Sequence, residues 1–172
     1  MKKTLIIIIA SLGIICMVGI LLVVVYMNSN KKTDAYETSA YEQLIKAFEL
    51  DKMDLKPSKK KGKEPSFHGD GMALYEFNVS DKNSDKIEKM LEKSWDKGEF
   101  SKEVEVIMYG GETEETIYDY KYGEKVDLPK IENGYWKLIN ENDGSLLDNA
   151  NDFKLAVYDI DNLKMYIFEN HI

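Results

Sequence analysis

Residues 152–168, DFKLAVYDIDNLKMYIF, read as two strands joined by a tight turn. Phe153, Leu155 and Val157 share one face of the first, by the two-residue period of extended chain. Leu163, Met165 and Ile167 answer them from the second. Asp159-Ile160-Asp161-Asn162 stands between, rich in the residue types that bond to their own backbone in turns. This hairpin anchors the expectation of an antiparallel sheet.

Working outward, Met72 to Val79 alternates in the same way, with Ala73, Tyr75, Phe77 and Val79 on one side. Gly134 to Asn140, GYWKLIN, adds another strand. Glu103 to Tyr109 alternates too, through Val104, Val106 and Met108, and Gly110-Gly111 breaks it. Thr116 to Tyr122 reads as extended and gathers Tyr118, Tyr120 and Tyr122 on one side. One helix is expected, Lys82 to Lys97. Ser84 or Asp85 caps it, Ile87, Met90, Leu91 and Trp95 form its apolar stripe, and Gly98 sits where a left-handed stop belongs. Strand, helix, then several strands predict an α+β domain over 66–172, a small antiparallel sheet with one main helix packed on one face.

The other end of the chain has a different character. Thr4 to Met27, TLIIIIASLGIICMVGILLVVVYM, holds no charged side chain over 24 positions. As a helix it reaches ~36 Å, enough for a hydrocarbon core of about 30 Å. A cleaved leader has a shorter apolar stretch and a small-x-small site, and neither is present. The run therefore predicts a retained transmembrane anchor behind a cytoplasmic tail of residues 1–3. Cys16 lies inside it behind the bulky Ile15, a poor context for lipid modification. It reads as a small apolar residue facing lipid. Lys2 and Lys3 precede the run and Lys31 and Lys32 follow it, so the lysine count is balanced. The short N-terminal tail leaves the folded bulk for the far side. A lone cysteine leaves no intramolecular disulfide, which fits a Gram-positive cell surface better than an oxidising secretory pathway.

Residues 28–51 read as a juxtamembrane helical segment. Asp34 and Glu37 make a capping pair, and Tyr41, Leu44, Ile45 and Phe48 follow a helical stripe. Residues 52–65 carry six lysines and two prolines without periodicity, and predict a solvated linker.

Charge narrows the function classes. The first 32 residues hold four lysines and no acid, so a whole-chain charge of −8 leaves −12 on residues 33–172. Such a surface repels phosphate backbones, and the chain has no arginine for bidentate readout. Nucleic acid is therefore excluded as a partner. No cofactor signature is present.

The most pointed local string is Phe67-His68-Gly69-Asp70-Gly71. His68 and Asp70 in one tight turn are a base and an orienter without a nucleophile, and two metal ligands without a third. The ordinary reading gives Gly69 and Gly71 positive φ and bonds Asp70 to its own turn. The acid-rich 140–152 segment fails the calcium-loop pattern on both sides of Gly144. GGETEE, residues 110–115, reads as a solvated turn. Tyr118, Tyr120 and Tyr122 are either a stacking platform for sugars or one half-buried sheet face. No residue is assigned as catalytic or metal-binding. His68, Asp70 and the three tyrosines are the binding candidates.

The strings FHGDG (67–71), NGYW (133–136) and LAVYDIDNLKMYIFE (155–169) resemble segments of small membrane-anchored proteins of low-GC Gram-positive bacteria, a group with no established activity. That resemblance covers about the last hundred residues and implies a shared fold and location. The group continues NGYW into phenylalanine and an Asp-Arg-His string, where this chain has Leu138-Ile139-Asn140. Together these readings predict a surface module held at the lipid bilayer by residues 4–27. It binds a protein or a cell-wall glycan without catalysis. The alternative is a small extracytoplasmic hydrolase using carboxylates near Asp70.

Overall fold

A computed structural model of the chain describes residues 40–53, 55, 57–63, 70–114 and 116–171. The apolar run 4–27, the Asp34–Glu37 cap and His68 lie outside these. Among the described residues no helix is long and apolar enough to cross a membrane. The chain divides into two units, Met1–Gln43 and Leu44–Ile172. Of the first only residues 40–43 are described, and they are helical.

Helix α1 (40–47) carries the chain into the second unit. There Leu44, Ile45, Phe48 and Leu50 are buried, and Phe48 lies 6.0 Å from Trp95 between ring centroids. Glu49 ends the helix at φ 60, its N–H on Lys46 O and the Leu50 N–H on Ile45 O. This is the paired-bond helix stop that glycine usually supplies.

The second unit is α+β with an antiparallel sheet, as expected, but two of its strands are not the ones expected. Six strands pair antiparallel throughout, in the order β1-β2-β8-β7-β6-β3. They are β1 (Pro57–Lys63), β2 (Gly71–Asn78), β3 (Asp96–Lys97), β6 (Gly134–Asn140), β7 (Phe153–Asp159) and β8 (Lys164–His171). The β7–β8 hairpin is present. Asp159 pairs with Lys164, and the Asp159 carboxylate accepts from the backbone and side-chain amides of Asn162.

Its register corrects one expectation. Phe153, Leu155 and Val157 face Asn170, Phe168 and Tyr166, whereas Met165 and Ile167 lie opposite Tyr158 and Ala156 on the other face. Both faces are buried, so each β8 residue from Met165 to Phe168 packs somewhere and alternation alone does not choose a side.

Helices cover both faces, which corrects the expected single helix on one face. One face carries Ala73, Tyr75, Phe77, Tyr135 and Tyr158 and meets α2 (Asp81–Leu91), whose following turn supplies Glu92 to the Tyr135 hydroxyl at 3.1 Å. Helix α2 stops short of the expected Lys97, and its N-cap is Ser80 rather than Ser84 or Asp85. Gly98 does have φ +88, but it follows β3 rather than the helix.

The other face carries Leu74, Trp136, Leu155 and Phe168 and packs against α3 (Lys102–Tyr109) and α4 (Tyr122–Val126). The expected strand at Glu103 to Tyr109 is therefore a helix. Ser101 caps it by accepting from Val104 N, and Val104, Ile107 and Met108 take the i, i+3, i+4 spacing of a buried stripe. Glu103 on its first turn accepts from Ser145 Oγ at 2.7 Å and from Leu147 N at 3.2 Å. This fastens the 145–147 loop. The expected strand over Thr116 to Tyr122 shrinks to β5 (Ile117–Tyr118), paired with β4 (Gly111–Glu112).

The linker expectation for 52–65 is corrected as well. Pro57–Lys63 is an edge strand, paired with β2 from Pro57↔Phe77 to Lys63↔Met72 with an irregularity between Pro57 and Lys59. Proline at the first position and lysines along it are what an outer strand tolerates, since both discourage a further strand from adding.

Candidate functional site

The tyrosine row forms a stack that descends into the core rather than one sheet face. Tyr118 and Tyr120 lie 6.5 Å apart, Tyr120 and Tyr122 5.3 Å, and Tyr122 continues to Phe153 at 6.0 Å and Phe168 at 6.4 Å. Tyr122 is almost fully buried, while Tyr118 and Tyr120 are half-buried. Helix α4 sets this geometry. A Cβ on Gly123 would stand 2.9 Å from the Met108 carbonyl, so glycine lets α4 approach α3 closely enough for Tyr122 to reach Phe153. Asp127, at φ 56, closes α4 with its N–H on Glu124 O and the Leu128 N–H on Gly123 O.

Asp70 and Tyr122 line one groove of about 350 Å³, joined there by Lys63, Lys125 and Asn170. Strand pairing explains the meeting. Met72 pairs with both Lys63 and Asn170, so the end of β1, the start of β2 and the end of β8 come to one corner of the sheet. Helix α4 then lays Tyr122 and Lys125 beside that corner, with Lys125 Nζ 5.1 Å above the Tyr122 ring. Lys61 of β1 ion-pairs with Asp127 at the end of α4, tying together two elements that line the groove. That lysine holds the Asp127 carboxyl below the usual carboxylate range.

Asp70 is exposed at the mouth. Gly71 is an extended strand residue opposite His171, not the positive-φ turn residue expected. His171 is the last residue of β8, and its ring Nδ1 lies against the Asp152 carboxylate.

Asn170 is 2 % exposed, and its Nδ2 donates to the Ala150 and Asn151 carbonyls at 2.9 Å each. Its Oδ1 is buried with no hydrogen-bond partner among the described residues. Burial pushes the Tyr122 phenol up and neighbouring Tyr120 adds to this, while the Asn170 amide draws it down.

Of the five candidates, the structure brings Asp70 and Tyr122 together. Tyr118 and Tyr120 lie further along the stack, and His68 is outside the described residues. Lys63, Lys125 and Asn170 were not legible in the sequence, where two more lysines and an asparagine carry no distinguishing signal. The acids of GGETEE behave as expected at Glu112 and Glu114, which are exposed on the β4–β5 hairpin. In the 140–152 segment Asn142 bonds to Asn140 Oδ1 and to the Asn149 and Asp152 carbonyls, so the loop is closed by its own amides. Among the described residues no three His, Cys, Asp or Glu side chains are grouped to hold a metal.

A second cleft, of about 260 Å³, lies between α3 and the 130–132 segment, with Glu99, Glu105 and Glu132 on its walls. Lys130 already stands over the Tyr109 ring there, at 5.0 Å. Burial, aided by the Glu105 charge, pushes the Tyr109 phenol far up, and its hydroxyl donates to the Pro129 carbonyl at 2.8 Å.

Comparison with protein-family models, with curated proteins and with solved structures finds no match for this chain.

Proposed function

We propose that this protein is a membrane-anchored extracytoplasmic binding module without catalysis, whose ligand groove is the Asp70–Tyr122 corner of the sheet. The observation that carries the reading is the convergence of Asp70, Lys63 and Lys125 around one groove floored by Tyr122. Opposite charges on a partly apolar surface suit a partner carrying both signs, such as a protein segment or a wall glycan with amino and carboxyl groups. The uncharged run 4–27 supplies the anchor. Asp70 is the one carboxylate among the groove's described lining residues. A hydrolase working through paired carboxylates would require a second in the same place.

The test compares the full chain with the Asp70→Ala and Lys125→Glu variants in membranes. Co-sedimentation with purified wall glycan and capture of surface proteins by cross-linking are both measured. Both substitutions are at exposed positions, so melting is expected to stay within about 0.5 kcal/mol of the parent. The reading expects glycan or protein capture to fall in both variants at unchanged melting. Parent-like capture in both variants would remove the groove from the account. Turnover of a wall substrate that disappears in Asp70→Ala would favour the hydrolase.

A further inference from the structure

The α2 end of the domain holds a larger cavity, of about 580 Å³, that the groove reading does not use. Its apolar wall is Met53 and Leu55 from the segment after α1, Val79 just past β2, and Ile87 and Met90 from α2. Leu55, Val79 and Ile87 are buried and the two methionines half-buried, so the apolar atoms sit inward. Protein interiors close voids of this size by packing, whereas sites for small ligands run from about 300 to 1,000 Å³. The two unbranched methionines can follow a flexible chain without a fixed shape.

The mouth has the opposite character. Lys52, Lys86 and Ser80 line it, all exposed, and no acid is among the cavity's described lining residues. This is a cationic rim on a unit whose overall charge is strongly negative. The Ser80 side chain makes no capping hydrogen bond to α2 and can donate to an incoming oxygen. An apolar interior beneath a basic, hydroxyl-bearing rim is complementary to an aliphatic chain ending in an anion.

We infer that this cavity is a binding site for a long-chain fatty acid, with the acyl chain among Met53, Leu55, Ile87 and Met90 and the carboxylate between Lys52 and Lys86. The site is independent of the Asp70 groove, and binding at either can fail without the other.

The full chain is placed in phosphatidylcholine nanodiscs with a diazirine-bearing palmitate, irradiated, and its adducts mapped by mass spectrometry. Adducts are expected on residues 52–55 and 86–90, competed by palmitate and not by neutral monopalmitoylglycerol. Reversing the rim with Lys52→Glu and Lys86→Glu, both at exposed positions, should weaken palmitate competition by at least about tenfold at unchanged melting. Adducts confined to residues 4–27 would overturn the inference, as would equal competition by the neutral lipid or parent-like labelling of the reversed variant. Stronger competition by lysophosphatidylglycerol than by palmitate would overturn the fatty-acid assignment in favour of a phospholipid.

Discussion

Truncating Tyr122 to alanine separates a ring that packs from a ring that waits for a ligand. The side chain is 3 % exposed and touches three other rings, Tyr120, Phe153 and Phe168, at 5.3, 6.0 and 6.4 Å. Removing a buried aromatic costs about 3–5 kcal/mol, from lost transfer energy and a cavity that the neighbours only partly close. A domain of ordinary stability has about 5–15 kcal/mol in all. The expected fall in Tm is roughly 9–20 °C, taking ~3–4 °C per kcal/mol for this size. Tyr122→Phe keeps the ring and should cost under about 1.5 kcal/mol. The assay is urea unfolding of the full chain followed by tryptophan emission. The chain has two tryptophans, Trp95 and Trp136, both buried in the second unit, so the signal reports that unit alone. A loss below about 1 kcal/mol for Tyr122→Ala would refute the stack as part of the core and restore an open platform.

Other substitutions probe the frame around the groove. A Cβ on Gly134 would stand 2.2 Å from the Tyr158 carbonyl, inside the β6–β7 ladder, so Gly134→Ala should cost upwards of about 3 kcal/mol in the same unfolding assay. Glu49→Gly relieves a left-handed residue at the helix stop and should stabilise by about 0.5–1 kcal/mol. The Tyr158 hydroxyl is buried without a hydrogen-bond partner among the described residues, so Tyr158→Phe should be neutral or stabilising by up to about 1 kcal/mol. Burial, with smaller contributions from Glu88, Asp159 and Asp81, pushes its phenol up to about 12. An acid raised in the folded state holds its proton longer there. Its contribution is therefore intact below about 10 and lost as pH climbs toward 12. Urea midpoints should fall between pH 9 and 11 in the parent, and by less in Tyr158→Phe.

The strands that carry an apolar residue at every second position, β2, β6, β7 and β8, were legible because their side chains state their own period. Helix α3 was not. Lys102–Tyr109 places Val104, Val106 and Met108 in alternation, and its eight residues are too few for the helical period to assert itself. The deciding residues are Ser101, which caps the first turn, and Ile107, which completes the i, i+3, i+4 set. Strand β1 was illegible for another reason. Its pairing with β2 is made by backbone groups, and PSKKKGK has no apolar residue at alternate positions to state a period. That miss propagated to the site. Asp70 and Tyr122 stood out as residue types in context, but Lys63 joins them only once β1 is known to run beside β2. Lys125 joins only once α4 is known to be a helix. Two-sided burial of the sheet likewise concealed which face of β8 answers Phe153, because Met165, Tyr166, Ile167 and Phe168 are all apolar-bodied and all buried.

The central claim is that residues 4–27 hold the folded unit on the outer side of a membrane. Ile117 is 78 % exposed on β5, so an Ile117→Cys substitution in a Cys16→Ser background places one reactive thiol on the domain surface. Intact protoplasts expressing this full chain are treated with a membrane-impermeant maleimide. The account predicts full labelling of cell-associated protein without lysis. Labelling that appears only after lysis, or a shortened protein recovered from the medium, would contradict it.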